Sequence, residues 1–139
     1  MTIEEFIRAR LDEDERAVVA ASVEYEGETW TAAGDSVNTI TVSNIAATVE
    51  KTYSQGVAEH IARHDPARVL RQAGITRALV AGHTRDDWFE FADETTGSCK
   101  ACSNYCPECR SLVRWPCGTL RLIASIWSDH PDYLPEWSA

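Results

Sequence analysis

Five cysteines lie between positions 99 and 117 of this 139-residue chain. Four of them form two C-x-x-C pairs, Cys99 with Cys102 and Cys106 with Cys109, and Cys117 follows at a distance. Two thiolates at this spacing bind one ion through a tight backbone turn, and four such ligands complete the tetrahedron that Zn²⁺ prefers. The cysteine block therefore predicts a zinc site.

The spacing leaves two sets of ligands open. One set joins the two C-x-x-C pairs and leaves Cys117 as a small apolar residue at the start of the last helix. The other set takes one pair together with Cys117 and His83. A helix N-terminus at Cys117 would lower its thiol pKa and favour metal binding. The second set would also connect more distant parts of the chain and contribute more to folding.

Disulfides, a redox-active pair and an iron–sulfur cluster are the alternatives to zinc for these cysteines. Structural disulfides do not suit an odd number of cysteines in a reducing compartment. A thioredoxin-like pair needs a strand before it and a helix that begins at it, whereas these pairs lie in a polar stretch. An iron–sulfur cluster is the alternative cofactor, because four close cysteines near a proline resemble ferredoxin runs in a different order of spacings. It would make the protein a redox sensor.

Two histidines suggest a second kind of chemistry. His60 and His64 are four residues apart and share one face of a predicted helix. A zinc protease of the H-E-x-x-H type would need Glu at the position of Ile61. The sequence therefore excludes this class of protease. With Asp65 and Asp129, the histidines loosely resemble a metal-dependent hydrolase, which is an alternative function. The simpler interpretation is that Asp65 caps a helix and the histidines line a partly buried seam.

Caps and periodicity predict the elements that must position these residues. Thr2 and Glu5 form a capping box for a helix with an apolar stripe of Ile3, Phe6, Ile7 and Leu11. The acidic residues 12–15 face water. β-prone residues and turn residues between about 22 and 43 predict a small antiparallel β-ribbon of two or three strands. Such a ribbon must pack on a helix to be stable.

The second half of the chain carries three more helix signals. Ser54 is the predicted N-cap of a helix over residues 55 to about 64. Asp65 and Pro66 begin another helix, which ends near Gly82. A last helix follows residues 115–116, with an apolar face of Leu120, Ile123 and Trp127. We therefore expect an α+β fold, mostly helical, with a zinc site that holds the C-terminal segment together. We expect a single domain over residues 1–139, with 99–117 as its metal-binding segment.

The composition of the chain argues against several classes of function. The net charge of −9 argues against duplex nucleic acid, which needs clustered Lys and Arg. No apolar run reaches the length of a membrane span, and the acidic N-terminus is unlike a signal peptide, so we expect a cytoplasmic protein. The lack of a catalytic motif, the acidity and the five tryptophans favour a non-enzymatic protein that binds a protein partner. The tail 133–137 either packs on the domain or anchors that partner.

Four blocks of the sequence resemble a family of small proteins of unknown function from actinobacteria and their phages. They are TIEEFIRARLDEDE at 2–15, HIARHDPARVLR at 60–71, WPCGTLRL at 115–122 and DHPDYLPEW at 129–137. The resemblance runs nearly end to end and implies an N-terminal helix, a ribbon, further helices and a Pro-Tyr-rich tail. It implies a phage or prophage accessory factor that acts on a host protein, and it supplies no activity.

The same resemblance bears on the cysteines. Members of that family with cysteines tend to have a His after the second helix, one C-x-x-C pair and a Cys in the WPC block. This pattern implies His83, Cys99, Cys102 and Cys117 as the ligands, with Cys106 and Cys109 as the alternative pair. Other members lack cysteines, which implies that the metal is not catalytic.

Overall fold

The computed structural model describes residues 1–24, 27–41, 43–86, 97–103 and 112–138. The fold is α+β, as expected, and about half helical. The chain divides into two compact units, one of residues 1–11 with 75–139 and the other of residues 12–74. No helix in the described ranges is long and apolar enough to cross a membrane. The order is α1 Ile3–Glu24, β1 Trp30–Ala33, β2 Ser36–Ile40, β3 Ala46–Lys51, α2 Gln55–Arg63, α3 Pro66–Gly82, β4 Arg85–Asp86, β5 Ser98–Cys99 and α4 Gly118–Ala124.

Helix α1 begins with the predicted capping box. The Thr2 N–H donates to Glu5 Oε2 at 2.7 Å, and the Glu5 N–H donates to Thr2 Oγ1 at 3.2 Å. The hydrogen bond from the Thr2 backbone lowers the pKa of the Glu5 carboxyl group, because it favours the charged form. The predicted apolar stripe is confirmed, since the buried residues of the first turns include Ile3, Phe6, Ile7 and Leu11.

The C-terminal tail packs on α1 within the first unit. The rings of Phe6 and Trp137 have centroids 5.1 Å apart, and Tyr133 lies edge-on to Phe6 at 6.0 Å. Trp137 is only 6 % exposed and lies in a short 3₁₀ turn, Pro135–Trp137. Of the two alternatives for the tail, the structure shows packing on the protein's own helix.

Arg10 is a charged residue on the buried stripe of α1, 7 % exposed. Its guanidinium lies over the Phe6 ring at 5.4 Å, contacts both ring nitrogens of His130, and is 3.6 Å from Asp132 Oδ2. A cation over an aromatic face is attracted by the ring electrons. The tail is therefore joined to α1 by a polar cluster as well as by aromatic contacts.

The second unit is built on a three-stranded antiparallel sheet in the order β1-β2-β3. Trp30 pairs with Thr39, and Ile40 pairs with Ala46. Helix α2 packs on one face, where the core consists of Val37, Val49 and Ala58 with the partly buried Trp30, Ala32, Ile61 and Ala62. The expectation that the small sheet must pack on a helix is confirmed.

The predicted bounds of the ribbon, about 22–43, are shifted. Helix α1 continues to Glu24, and the sheet runs from Trp30 to Lys51. The alternation at residues 23–26 is too short to outweigh continuation of a long helix. Strand β3 gave a weak signal because Val49 is its one buried residue. Its place depends on pairing with β2, which sequence periodicity does not report.

The predicted caps of α2 and α3 are confirmed. Ser54 is the N-cap of α2, and its side chain accepts from the Val57 N–H at 3.4 Å. Asp65 Oδ1 accepts from the Arg68 N–H at 2.7 Å at the start of α3, and Oδ2 accepts from the Trp30 N–H at 3.4 Å. Asp65 therefore links the start of α3 to strand β1. Helix α3 ends at Gly82, as predicted.

Asp65 and Ser54 allow a matched test of these caps. We expect Asp65→Ala to lower the free energy of unfolding by about 2 kcal/mol, because it removes a short capping bond and a second acceptor from a buried position. Ser54→Ala removes one long, exposed bond and should cost less than about 1 kcal/mol. Urea unfolding followed by circular dichroism measures both. Equal losses would contradict the linking role of Asp65.

Phe6 allows a test of the tail packing. We expect Phe6→Ala to lower the free energy of unfolding by about 3–5 kcal/mol, because it empties the site on which Trp137 packs. The control is Tyr53→Ala, since Tyr53 is fully exposed and its loss should change stability by less than about 0.5 kcal/mol. Thermal unfolding followed by tryptophan fluorescence is the measurement. A Phe6 variant as stable as the control would refute the contact.

Candidate metal centre

Four potential ligands from separated segments converge in the first unit. One ligand atom from each of His83, Cys99, Cys102 and Cys117 lies within 4.8 Å of the others. Within the ranges that the structure describes, no other group of three or more His, Cys, Asp or Glu side chains converges in this way. The cluster has the donor set of a site that can hold a metal such as zinc.

The end of α3 positions His83. The residue follows Gly82 directly, and its N–H donates to the carbonyl oxygens of Leu79 and Val80 at 3.2 Å each. These bonds continue the last turn of the helix by one residue, so α3 fixes the backbone position from which the His83 side chain extends. Val80, one turn back, is buried at 2 % exposure and anchors this end of the helix.

A short antiparallel ladder brings the C-x-x-C pair to His83. Strand β4 pairs with β5, with Arg85 opposite Cys99, and the Lys100 N–H donates to the Thr84 carbonyl at 3.0 Å. The Ser103 N–H then donates to the Cys99 carbonyl at 3.0 Å. This last bond closes a turn over the pair, so the Cys102 side chain returns to the side of Cys99.

A third segment extends the ladder and delivers Cys117. The Cys99 N–H donates to the Val113 carbonyl at 2.7 Å, and the Trp115 N–H donates to the Gly97 carbonyl at 2.9 Å. A cis peptide bond joins Trp115 to Pro116, and Cys117 follows as the N-cap residue of α4. Ser103, which no sequence pattern singled out, accepts from the Val113 N–H at 3.0 Å.

The three cysteine sulfur atoms lie at similar distances from one imidazole nitrogen. His83 Nδ1 is 3.5 Å from Cys99 Sγ, 3.3 Å from Cys102 Sγ and 3.4 Å from Cys117 Sγ. One ring nitrogen offers either one proton or one lone pair, so it cannot make three hydrogen bonds at once. The bond lengths of tetrahedral zinc sites imply a nitrogen–sulfur edge of about 3.6 Å. The three separations are close to that edge.

The cluster is partly shielded from water. Cys99 and Cys117 are buried, and Cys102 and His83 are partly exposed. Burial, followed by the neighbouring thiols of Cys99 and Cys117, raises the pKa of the Cys102 thiol to about 12. Three thiols at this distance cannot all ionise without a cation between them.

Cys117 differs because it lies at the start of a helix. Burial acts to raise its pKa, but the backbone N–H groups of Leu120 and Thr119 and the neighbouring thiols outweigh burial, and the pKa is lowered. The amides act on the sulfur without a capping hydrogen bond of normal geometry. The position of Cys117 at a helix N-terminus therefore has the effect on its thiol that the sequence predicts.

The structure places the other predicted site residues as follows. Cys99, Cys102 and Cys117 are free thiols. The alternative pair, Cys106 and Cys109, lies outside the described residues. The rings of His60 and His64 have centroids 4.7 Å apart, and both side chains are exposed, so the predicted partly buried seam is wrong. Both oxygens of Asp65 accept backbone hydrogen bonds.

A family model described as "Family of unknown function (DUF6221)" matches residues 1–139. No curated protein and no solved structure matches the chain. The match confirms the resemblance to a family without assigned activity and covers both the cluster and the second unit.

Proposed function

The chain belongs to the DUF6221 family of unknown function, and we propose that it is a non-enzymatic zinc protein that binds a protein partner. The zinc ion would be held by His83 Nδ1 and the sulfurs of Cys99, Cys102 and Cys117. It would join the end of α3, the β4–β5 ladder and the start of α4. The observation that carries this proposal is the three sulfurs at nearly equal distance from one imidazole nitrogen.

The donor set favours zinc over an iron–sulfur cluster. Soft thiolates with one imidazole in a tetrahedral arrangement suit Zn²⁺. Common iron–sulfur clusters take four thiolates, or two imidazoles on one iron in the Rieske type. Three thiols and one imidazole whose ligand atoms lie within 4.8 Å of one another match a single ion. Free thiols at this site also suit the reducing cytoplasm in which we expect the protein to act.

The number of ligands favours a structural ion over a catalytic one. Catalytic zinc sites keep one position open for water or substrate, whereas structural sites are closed by four protein ligands. Here His83 and three cysteines would fill all four positions, and two of the sulfurs are buried. The hydrolase alternative has less support, because His60 and His64 are exposed and Asp65 is engaged as a helix cap.

Three features support a binding role. Several large apolar side chains are exposed, among them Tyr53, Val23 and Ile45, and exposed apolar surface marks an interaction site where it is contiguous. The negative charge disfavours nucleic acid as the partner. Together with the resemblance to phage and actinobacterial proteins, these features fit a phage or prophage accessory factor that acts on a host protein.

Metal content of single variants tests the ligand set. We expect about one zinc per purified chain, and less than about 0.2 in Cys99→Ser, Cys117→Ser and His83→Ala, because three ligands hold zinc far more weakly than four. Cys106→Ser and Cys109→Ser are the matched controls and should keep the ion. His83→Cys should restore it, since four thiolates also bind zinc. Mass spectrometry of the metal is the measurement.

Two outcomes would contradict this ligand set. Loss of zinc in Cys106→Ser with retention in Cys117→Ser would select the two C-x-x-C pairs. A coloured protein that contains iron after anaerobic purification would replace zinc with an iron–sulfur cluster. If the chain held a second ion that His60→Ala with His64→Ala removed, the hydrolase alternative would be favoured.

Removal of the metal tests its structural role. We expect a strong zinc chelator to lower the melting temperature by at least about 10 °C, because the binding energy of a structural ion is folding energy. Added Zn²⁺ should restore it, and Mg²⁺ should not, because Mg²⁺ prefers oxygen ligands. The Cys99→Ser variant is the control and should respond to neither. A melting temperature unchanged by chelation would refute the structural role.

A further inference from the structure

Two shallow cavities that share Val19 follow the second half of α1 in the second unit. One cavity of about 660 Å³ is lined by Asp12, Glu15, Arg16 and Val19. A neighbouring cavity of about 720 Å³ is lined by Val19, Ser22, Val23, Gly27, Glu28, Ile40 and Thr41. Val19 belongs to both, and the helical lining residues recur at intervals of three and four, so they form one face of α1. We call the two cavities together the α1 groove.

The floor of the α1 groove is apolar and exposed. Val19, Val23 and Ile40 are 50 %, 72 % and 58 % exposed. Single exposed apolar side chains are ordinary on a protein surface. Three of them along one groove form a contiguous patch, which marks a site of interaction more often than scattered residues do.

The two walls of the groove are held together at Gly27. A Cβ atom at this position would lie 2.2 Å from Thr39 Oγ1 and 3.0 Å from the Ile40 carbonyl oxygen, so only glycine allows this approach. The Gly27 N–H donates to the Ser22 carbonyl at 3.1 Å, and the Thr39 hydroxyl donates to the Thr29 carbonyl at 2.9 Å. The end of α1 and strand β2 are therefore fixed to each other before anything binds.

The negative charge of the groove walls favours a partner of opposite charge. Asp12, Glu15 and Glu28 line the groove, and Arg16 is the basic residue among the described lining residues. The chain as a whole carries −9. A second copy would bring the same acidic walls against these and would be repelled. Nucleic acids and anionic membranes are disfavoured for the same reason.

We propose that the α1 groove binds a basic amphipathic helix of a partner protein. Its apolar residues, at intervals of three and four, would contact the Val19–Val23–Ile40 floor, and its Lys and Arg residues would face the acidic walls. The groove follows α1 from Asp12 to Val23, about 16 Å at the rise of an α-helix, which accommodates three turns of a second helix. This proposal rests on the binding half of the proposed function and not on the metal.

A peptide probe tests the proposal on the full-length, zinc-loaded protein. The probe is a fluorescein-labelled 16-residue Leu/Lys peptide with its leucines on one helical face. Two peptides are controls: one with Glu in place of Lys, and one of the same composition with the leucines distributed around the helix. Fluorescence anisotropy measures affinity at low and at physiological salt. We expect the probe to bind at least about tenfold more tightly than either control peptide.

Pairs of groove variants and control variants test whether the probe peptide binds in the α1 groove. Val23→Thr with Ile40→Thr should weaken the probe at least about tenfold, and its control is Ile75→Thr with Ile126→Thr, two other exposed apolar residues. Glu15→Gln with Glu28→Gln should weaken the probe about threefold or more at low salt and reduce the salt dependence. Its control, Glu59→Gln with Glu136→Gln, removes the same charge elsewhere. Both controls should bind as the unmodified protein does.

Three results would overturn the proposal. Equal losses in the groove variants and their controls would show nonspecific attraction to an acidic protein. Tight binding of the Glu peptide would refute the role of charge. A concentration-dependent dimer in sedimentation equilibrium that Val23→Thr with Ile40→Thr abolishes would assign the groove to a second copy. Zinc content, measured on the same samples, reports separately on the proposed metal.

Discussion

An imidazole nitrogen can take part in one hydrogen bond, yet three sulfur atoms lie 3.3–3.5 Å from Nδ1 of His83. The local structure of residues 83–86, 97–103 and 112–118 depends on this convergence. In the described part of the chain, the β4–β5 ladder has strands of two residues each, and a two-stranded ladder of that length is not stable in water alone. The backbone hydrogen bonds of the ladder become favourable when another interaction holds the segments close to each other. The proposed metal ion would supply that interaction.

The two units are stabilised by different kinds of contact. In the second unit, a helix covers one face of a three-stranded sheet, and an ordinary apolar core results. In the first unit, aromatic packing of Phe6 with Trp137 stabilises one part, and the His–Cys cluster organises another. The proposed ion and the proposed binding groove thus belong to different units, so each can be altered by substitutions that leave the other in place.

Local rules predicted part of this fold and of this site. The capping box at Thr2, the caps at Ser54 and Asp65 and the end of α3 at Gly82 depend on near neighbours, and all are present. Strand β3 escaped prediction because its place depends on pairing with β2. Arg10 lies where the apolar stripe of α1 requires a buried residue, but its contacts come from the distant tail, which no local pattern reports. For the same reason the cysteine spacing predicted a metal site and left the ligand set open.

The joining of the two chain ends in the first unit has a consequence for biosynthesis. Residues 12–74 form one uninterrupted stretch, so the contacts within this unit do not depend on residues that are made much later. Phe6, by contrast, packs on Trp137, which is made long after it. Until Trp137 has left the ribosome, the Phe6 ring lacks this contact, and exposed apolar side chains of a nascent chain are recognised by chaperones and proteases. A chain truncated before Trp137 would lack the contact permanently.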